Sequence, residues 1–245
     1  MNQPSPTAEP APARLEVTDL SVTFGGLTAL DAVSFDVRPG EVVALIGPNG
    51  AGKTTVFNAV CGLVRRRGDV RIDGAPAPRR TSDLTERGVA RTLQGLGLFA
   101  GLTVQENVLL PVAGRRDADA LVADRLRGLG LDALAGHPVS ALPYPDRKRV
   151  ALARALVTEP RLLLLDEPAG GLGADDIAAL GDVVRAVAAS GCAVLLVEHH
   201  VDFVMGLADR IVVLDFGRVI ARGTPDEVRT DPRVEEAYLG VKADA

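Results

Sequence analysis

The stretch from Glu41 to Val64 constrains this chain more than any other. An aliphatic run, Glu41–Ile46, stops at a glycine-rich turn, GPNGAGKT from Gly47 to Thr54. An apolar helical stretch follows, about Lys53 to Val64, with Val56, Val60 and Leu63 on one face. A buried strand, this spacing of glycines, a lysine, a threonine and then a helix make a Walker A phosphate-binding loop. Phosphate needs several donors in a space too tight for side chains. Gly47, Gly50 and Gly52 let backbone N–H groups face inward, and the helix N-terminus adds partial positive charge. Pro48, Asn49 and Ala51 complete the loop, and Thr55 follows it. Lys53 would reach the β- and γ-phosphates of a bound nucleotide, and the Thr54 hydroxyl would ligate Mg²⁺. The chain has three lysines, Lys53, Lys148 and Lys242, so the match does not follow from a lysine-rich composition.

A second element fits the first. Leu162–Leu165 is an aliphatic run ending in Asp166 and Glu167, the form of a Walker B strand, with Asp166 facing Mg²⁺. Glu167 then stands where a base could polarise the attacking water. An Asp-Glu pair after a strand, taken alone, reads equally well as a helix cap. Around these two elements the pattern alternates. Leu15 to Phe24 and Ala32–Val37 read as early strands, and Asp69–Ile72 as a short strand before the turn at Asp73 and Gly74. From Gly88 to about Pro145 the character is helical with frequent glycine, and Thr103 with Glu106 forms a capping-box sequence. Helices at about Arg147–Val157, Asp175–Ala189 and Val201–Leu207 alternate with strands at Leu162–Leu165 and Ala193–Val197. A hairpin over Ile211–Leu214 and Arg218–Ala221 precedes a last helix opened by Thr224 and Pro225. The expected fold is α/β: a P-loop NTPase with a mostly parallel sheet, an N-terminal antiparallel β subdomain and an inserted helical lobe.

Composition narrows the function classes. Of 245 residues, 47% are hydrophobic, enough for a sizeable core. The net charge of −5 and the pI near 5.3 argue against a protein that holds nucleic acid by charge. Arg65–Arg67 and Arg147–Arg149 read as solvated helix ends. Cys61 and Cys192 are too few for a disulfide framework and sit in apolar runs, as buried free thiols do. No apolar run approaches the roughly 20 residues of a membrane span, and the N-terminus lacks the pattern of a signal peptide.

From about Arg14 to Gly240 the chain resembles the nucleotide-binding subunits of ABC transporters, with the motifs in that family's order. Residues 1–13, rich in Pro and Ala and without periodicity, read as a flexible tail; the resemblance makes 14–240 an ABC ATPase domain, with its helical lobe at about 95–157, and leaves a short tail (241–245). It places Phe24 where an aromatic stacks on adenine, although a lone Phe on a strand reads as core. It gives Gln94 the place of the Q-loop glutamine, a Mg²⁺ and water contact that senses the membrane subunit, and His199 that of the switch histidine on the γ-phosphate. Ala90–Gln94, Leu98–Phe99, Leu102–Val108 and the stretch from Gly223 to Gly240 look like the ATPases of branched-chain amino-acid importers and their urea- or amide-importing relatives. The resemblance implies an ATP-hydrolysing subunit, peripheral on the inner face of the plasma membrane. It implies permease subunits as partners, a second ATPase subunit, a solute-binding protein served indirectly, and no nucleic acid. A non-transport ABC ATPase and a subunit that binds ATP but hydrolyses it poorly are the alternatives.

Departures from the family pattern bear on the second of these. The signature Leu-Ser-Gly-Gly-Gln corresponds to Leu142, Pro143, Tyr144, Pro145 and Asp146. Proline has no N–H to offer a partner's γ-phosphate at position 145, and at 143 it lacks the serine hydroxyl. Gly173 stands where a polar D-loop residue is usual, and His200 where an Asp commonly follows the switch histidine. A degenerate signature points to a non-identical ATPase partner.

Overall fold

A computed structural model describes residues 12–239; most of the 1–13 tail and all of the 241–245 tail lie outside the described residues. Strands β1 (Leu15–Phe24) and β2 (Leu27–Val37) pair antiparallel, and their inward residues, Leu15, Val17, Leu20, Leu30 and Val33, are buried. β3 (Val42–Ile46) is buried at every position, as a strand covered on both faces must be. It leads through the glycine loop into α1 (Lys53–Val60).

This helix ends earlier than its apolar pattern suggests. Gly62 takes φ +71, its N–H bonds the Ala59 carbonyl at 3.1 Å, and Leu63 N–H bonds the Asn58 carbonyl at 2.8 Å. That pair of bonds is a Schellman stop, and only glycine enters the left-handed conformation without strain.

β4 (Arg67–Ile72) and β5 (Ala75–Pro76) complete the first sheet, in the order β2-β1-β4-β5. β6 (Val89–Arg91) is a short strand inside the stretch expected to be helical, so the lobe begins only after it. The lobe's helices are α2 (Val104–Leu109), whose Thr103–Glu106 capping box is fully formed, α3 (Ala118–Gly128) and α4 (Tyr144–Leu156). α4 starts three residues before its expected position: Pro143 is its extended N-cap, and the fixed φ of Pro145 suits a first turn. Then come β7 (Leu162–Asp166), α5 (Ala174–Ala189), β8 (Ala193–Val197), α6 (Val201–Leu207), β9 (Arg210–Asp215) and β10 (Arg218–Gly223). The expected final helix is divided into α7 (Pro225–Arg229) and α8 (Pro232–Leu239).

The second sheet runs β10-β9-β3-β8-β7-β6 and is parallel except for β10. Its two faces anchor two cores, one against α1 and the antiparallel sheet, the other against α5 and α6. The lobe has a core of its own around Val104, Val122, Leu131 and Val150. α4 serves two of these: Val150 and Ala153, with Val157 at its C-cap, face the lobe core, while Leu152, Ala155 and Leu156 face the sheet. Both cysteines are buried and unpaired, and burial pushes the Cys192 thiol up to about 11.

Candidate functional site

In a parallel sheet every strand delivers its C-terminal end to the same edge, and ligands of open α/β sheets bind outside that edge. Here the register Leu45↔Val197 (β3–β8), Asp166↔Val197 (β7–β8) and Arg91↔Leu164 (β6–β7) sets four strand ends side by side. The glycine loop leaves β3, Thr92–Gln94 leave β6, Asp166 and Glu167 end β7, and His199 follows β8.

The loop is shaped for a ligand that approaches backbone. Gly47, Gly50 and Gly52 have φ of 150°, 84° and 104°. A Cβ at Gly47 would lie 2.1 Å from the Leu214 carbonyl oxygen, and one at Gly52 would lie 2.8 Å from that of Ala29. Neither glycine is therefore replaceable without moving backbone. Lys53 is 7% exposed, and its ammonium donates to the carbonyls of Gly47 (2.7 Å) and Pro48 (2.9 Å), leaving one donor free. Burial lowers its pKa, partly offset by the Glu167 charge.

Gln94, Glu167 and His199 come together. Glu167 Oε2 accepts from Gln94 Nε2 at 2.7 Å and lies 3.3 Å from His199 Nε2. Its backbone sits at φ 49°, a left-handed conformation uncommon for glutamate. Asp166 is 5% exposed; its Oδ2 accepts from Arg91 Nη2 at 2.9 Å, and its Oδ1 is buried with no hydrogen-bond partner among the described residues. An orphaned buried carboxylate oxygen at a strand end beside a phosphate loop fits a hard cation. Thr54, the other oxygen donor, is exposed on the first turn of α1.

The remaining expected residues are placed apart. Phe24 ends β1 with 48% of its surface exposed, so the reading of a core Phe does not hold. Leu142–Asp146 sits at the start of α4, and among the described residues no hydrogen bond joins it to the loop. Arg147 N–H bonds the Pro143 carbonyl at 3.1 Å, so Tyr144 and Asp146 carry the free amides of this first turn, and Asp146 pairs with Arg149. Pro145 does share a cavity of about 330 Å³ with Gln94, Glu167, Lys148, Leu172 and Leu180, between the lobe and the sheet edge.

Three side chains that the motifs did not single out hold this edge. Arg91 also donates to Asn58 Oδ1 at 3.1 Å and lies 5.5 Å from the Phe57 ring centre. In the sequence Arg91 stood only as part of the Ala90–Gln94 stretch, with no role of its own. Lys148, expected on a solvated helix end, is half-buried with its ammonium on the carbonyls of Glu167 and Pro168. Glu198 is 0% exposed and accepts from the amides of Ala169 (2.6 Å), His199 (2.9 Å) and His200 (3.1 Å). Glu198→Ala would strand these amides, and an unsatisfied buried donor costs about 1–3 kcal/mol. The expected result is a loss of at least that size in urea unfolding, with Glu198→Gln, which keeps one acceptor, milder.

Comparison with known proteins gives concordant findings. The family profile described as ABC transporter matches residues 30–170, and one described as branched-chain amino acid ATP-binding cassette transporter matches 218–244. The chain is 38% identical over 252 residues to the high-affinity branched-chain amino acid transport ATP-binding protein LivG of Salmonella typhimurium, covering 92% of this chain and 97% of that one. BraF of Pseudomonas aeruginosa, of the same description, is 37% identical over 250 residues with the same coverage. Among solved structures, a nucleotide-free ATP-binding cassette from an ABC transporter superposes with a TM-score of 0.84 at 28% identity, covering 94% of this chain and 100% of that one.

Proposed function

This chain belongs to the ATP-binding cassette family of ABC transporters, and from that membership we propose that it is the subunit that binds and hydrolyses ATP to drive an importer of branched-chain or related amino acids. One observation carries the proposal: the phosphate loop and the Gln94–Glu167–His199 cluster share the sheet edge. The relatives' description as branched-chain amino acid transport proteins supports the solute class. Among the described residues no helix is long and apolar enough to cross a membrane. The reading therefore assigns translocation to permease subunits, with this chain held peripherally at the inner face of the plasma membrane and a solute-binding protein feeding the pathway.

On this reading the residues divide the work between binding and hydrolysis. Phe24 offers an exposed ring for adenine, and such stacking is worth about 1–3 kcal/mol per base. The free amides of the loop and of the first turn of α1, with the Lys53 ammonium, take the phosphates, so the γ-phosphorus is presented toward Glu167. Glu167 Oε2 takes a proton from the attacking water, Gln94 orients that water, and His199 donates to the γ-phosphate as charge develops. Asp166 Oδ1, the Thr54 hydroxyl and Gln94 would hold Mg²⁺, which when bound neutralises phosphate charge.

Lys53→Ala tests the assignment at its base. It removes a charge-assisted contact and is expected to weaken MgATP binding by roughly 1.5–3 kcal/mol, about tenfold or more in Kd. Equal retention of labelled ATP by wild type and variant would refute the site.

The reading includes a second, non-identical ATPase subunit. ATP would be sandwiched between the loop of one chain and the α4 N-terminus of the other, and the α4 N-terminus here lacks an amide at Pro145 and a hydroxyl at Pro143.

A further inference from the structure

We propose that Lys148 is a positioning residue for Glu167, fixing the base from the helical lobe; the inference rests on the ATPase reading above. The Lys148 ammonium donates to the Glu167 carbonyl at 3.0 Å and to the Pro168 carbonyl at 2.7 Å. On the other side of the same segment, Glu198 receives the Ala169 amide at 2.6 Å. The turn after β7 is thus gripped by a cation on two of its carbonyls and an anion on the Ala169 amide. The Glu167 amide is tied in turn to the Val197 carbonyl at 2.9 Å.

This grip matters because of the conformation it holds. Glu167 sits at φ 49°, and a non-glycine residue in this sparsely populated backbone region persists only where its surroundings over-determine it. Released, the backbone would relax and carry the carboxylate away from Gln94 and His199. Two carbonyls turned toward one ammonium are a specific reason to stay. Lys148 itself is held: its ammonium lies 5.5 Å from the Tyr144 ring centre, and Tyr144 packs 3.0 Å from where a Cβ on Gly171 would be.

The chain's composition agrees. Among 27 basic residues only three are lysines, and two of these, Lys53 and Lys148, place their ammonium on main-chain carbonyls of this site. The origin of Lys148 is equally informative. It stands on α4, one face of which packs in the lobe core and the other on the sheet. A shift of the lobe would therefore move the ammonium relative to the turn that bears the base.

The test is steady-state ATP hydrolysis by the full chain in its membrane complex, with kcat and KM read separately. Lys148→Met keeps the stem and removes the donors. The expected result is a fall in kcat of about 10- to 10²-fold, as misplacement of a reacting group by about 1 Å produces, with KM for ATP and nucleotide affinity within about twofold. Lys148→Arg, which keeps a charged donor pair, should recover most of the rate. Unchanged kcat in Lys148→Met, a loss expressed in KM, or no recovery by Lys148→Arg would overturn the inference. Should Lys148→Met fail to fold, Lys148→Gln, with a donating amide, is read by the same split of kcat from KM. Absence of turnover in the wild-type complex would instead strike the ATPase reading itself.

Discussion

Glu167→Gln is expected to cut ATP turnover by about 10²–10⁴-fold while MgATP still binds, because the amide keeps the shape of the carboxylate but cannot accept the water's proton. The structure makes this a sharp substitution. Glu167 Oε2 already receives the Gln94 amide at 2.7 Å, and a glutamine at 167 can still offer its carbonyl oxygen there. The His199 contact at 3.3 Å likewise survives through that oxygen. Loss of rate without loss of affinity, measured in the assembled complex beside nucleotide binding to the isolated chain, is the required pattern. Turnover at the wild-type rate would remove Glu167 from the mechanism. A collapse of binding would mean that the residue holds the phosphate loop rather than the water.

The second large effect concerns the pair. In a complex of this chain with a different ATPase subunit, the partner's signature would close over Gly47–Thr54 here, and Leu142–Asp146 would close over the partner's loop. The first turn of α4 keeps the Tyr144 and Asp146 amides, but Pro145 offers none, and Asp146 brings a carboxylate where phosphate charge would stand. Loss of one preorganised donor to a developing charge costs about 2.7–4 kcal/mol, or 10²–10³ in kcat, softened by the helix dipole that remains. Glu167→Gln in this chain should therefore remove most of the complex's ATPase activity, and the equivalent change in the partner should matter little. Equal losses from the two lesions, or robust turnover by this chain alone, would exclude the asymmetric arrangement.

The two predictions draw on different kinds of information. The glycine loop between a strand and a helix was legible from residues 41–64, because a strand end, three glycines at positive φ and a helix start are local events set by backbone sterics and hydrophobic period. The P-loop α/β fold class, with its helical lobe, followed from aliphatic runs alternating with helical ones. Boundaries were less legible where a local stop was encoded in one residue. Gly62 ended α1 early, and two prolines moved the start of α4 forward. β6, only Val89–Arg91, carried too little periodicity to stand out and is a strand because it pairs with β7.

The sequence alone thus determined the long aliphatic strands, the glycine turn between β3 and α1, and the residue types that follow those strands. The tertiary structure decided what those residues touch. Gln94 and Glu167 meet because β6 and β7 are neighbours in a parallel sheet, and His199 joins them because β8 lies on the other side of β7. Glu198 and Lys148 could not be singled out from local pattern, since a carboxylate beside two histidines and a lysine between two arginines look like solvent-facing charge. Their roles arise from tertiary packing: Glu198 is buried at the end of β8 where it meets the Ala169 amide, and α4 brings the half-buried Lys148 ammonium onto the carbonyls of Glu167 and Pro168.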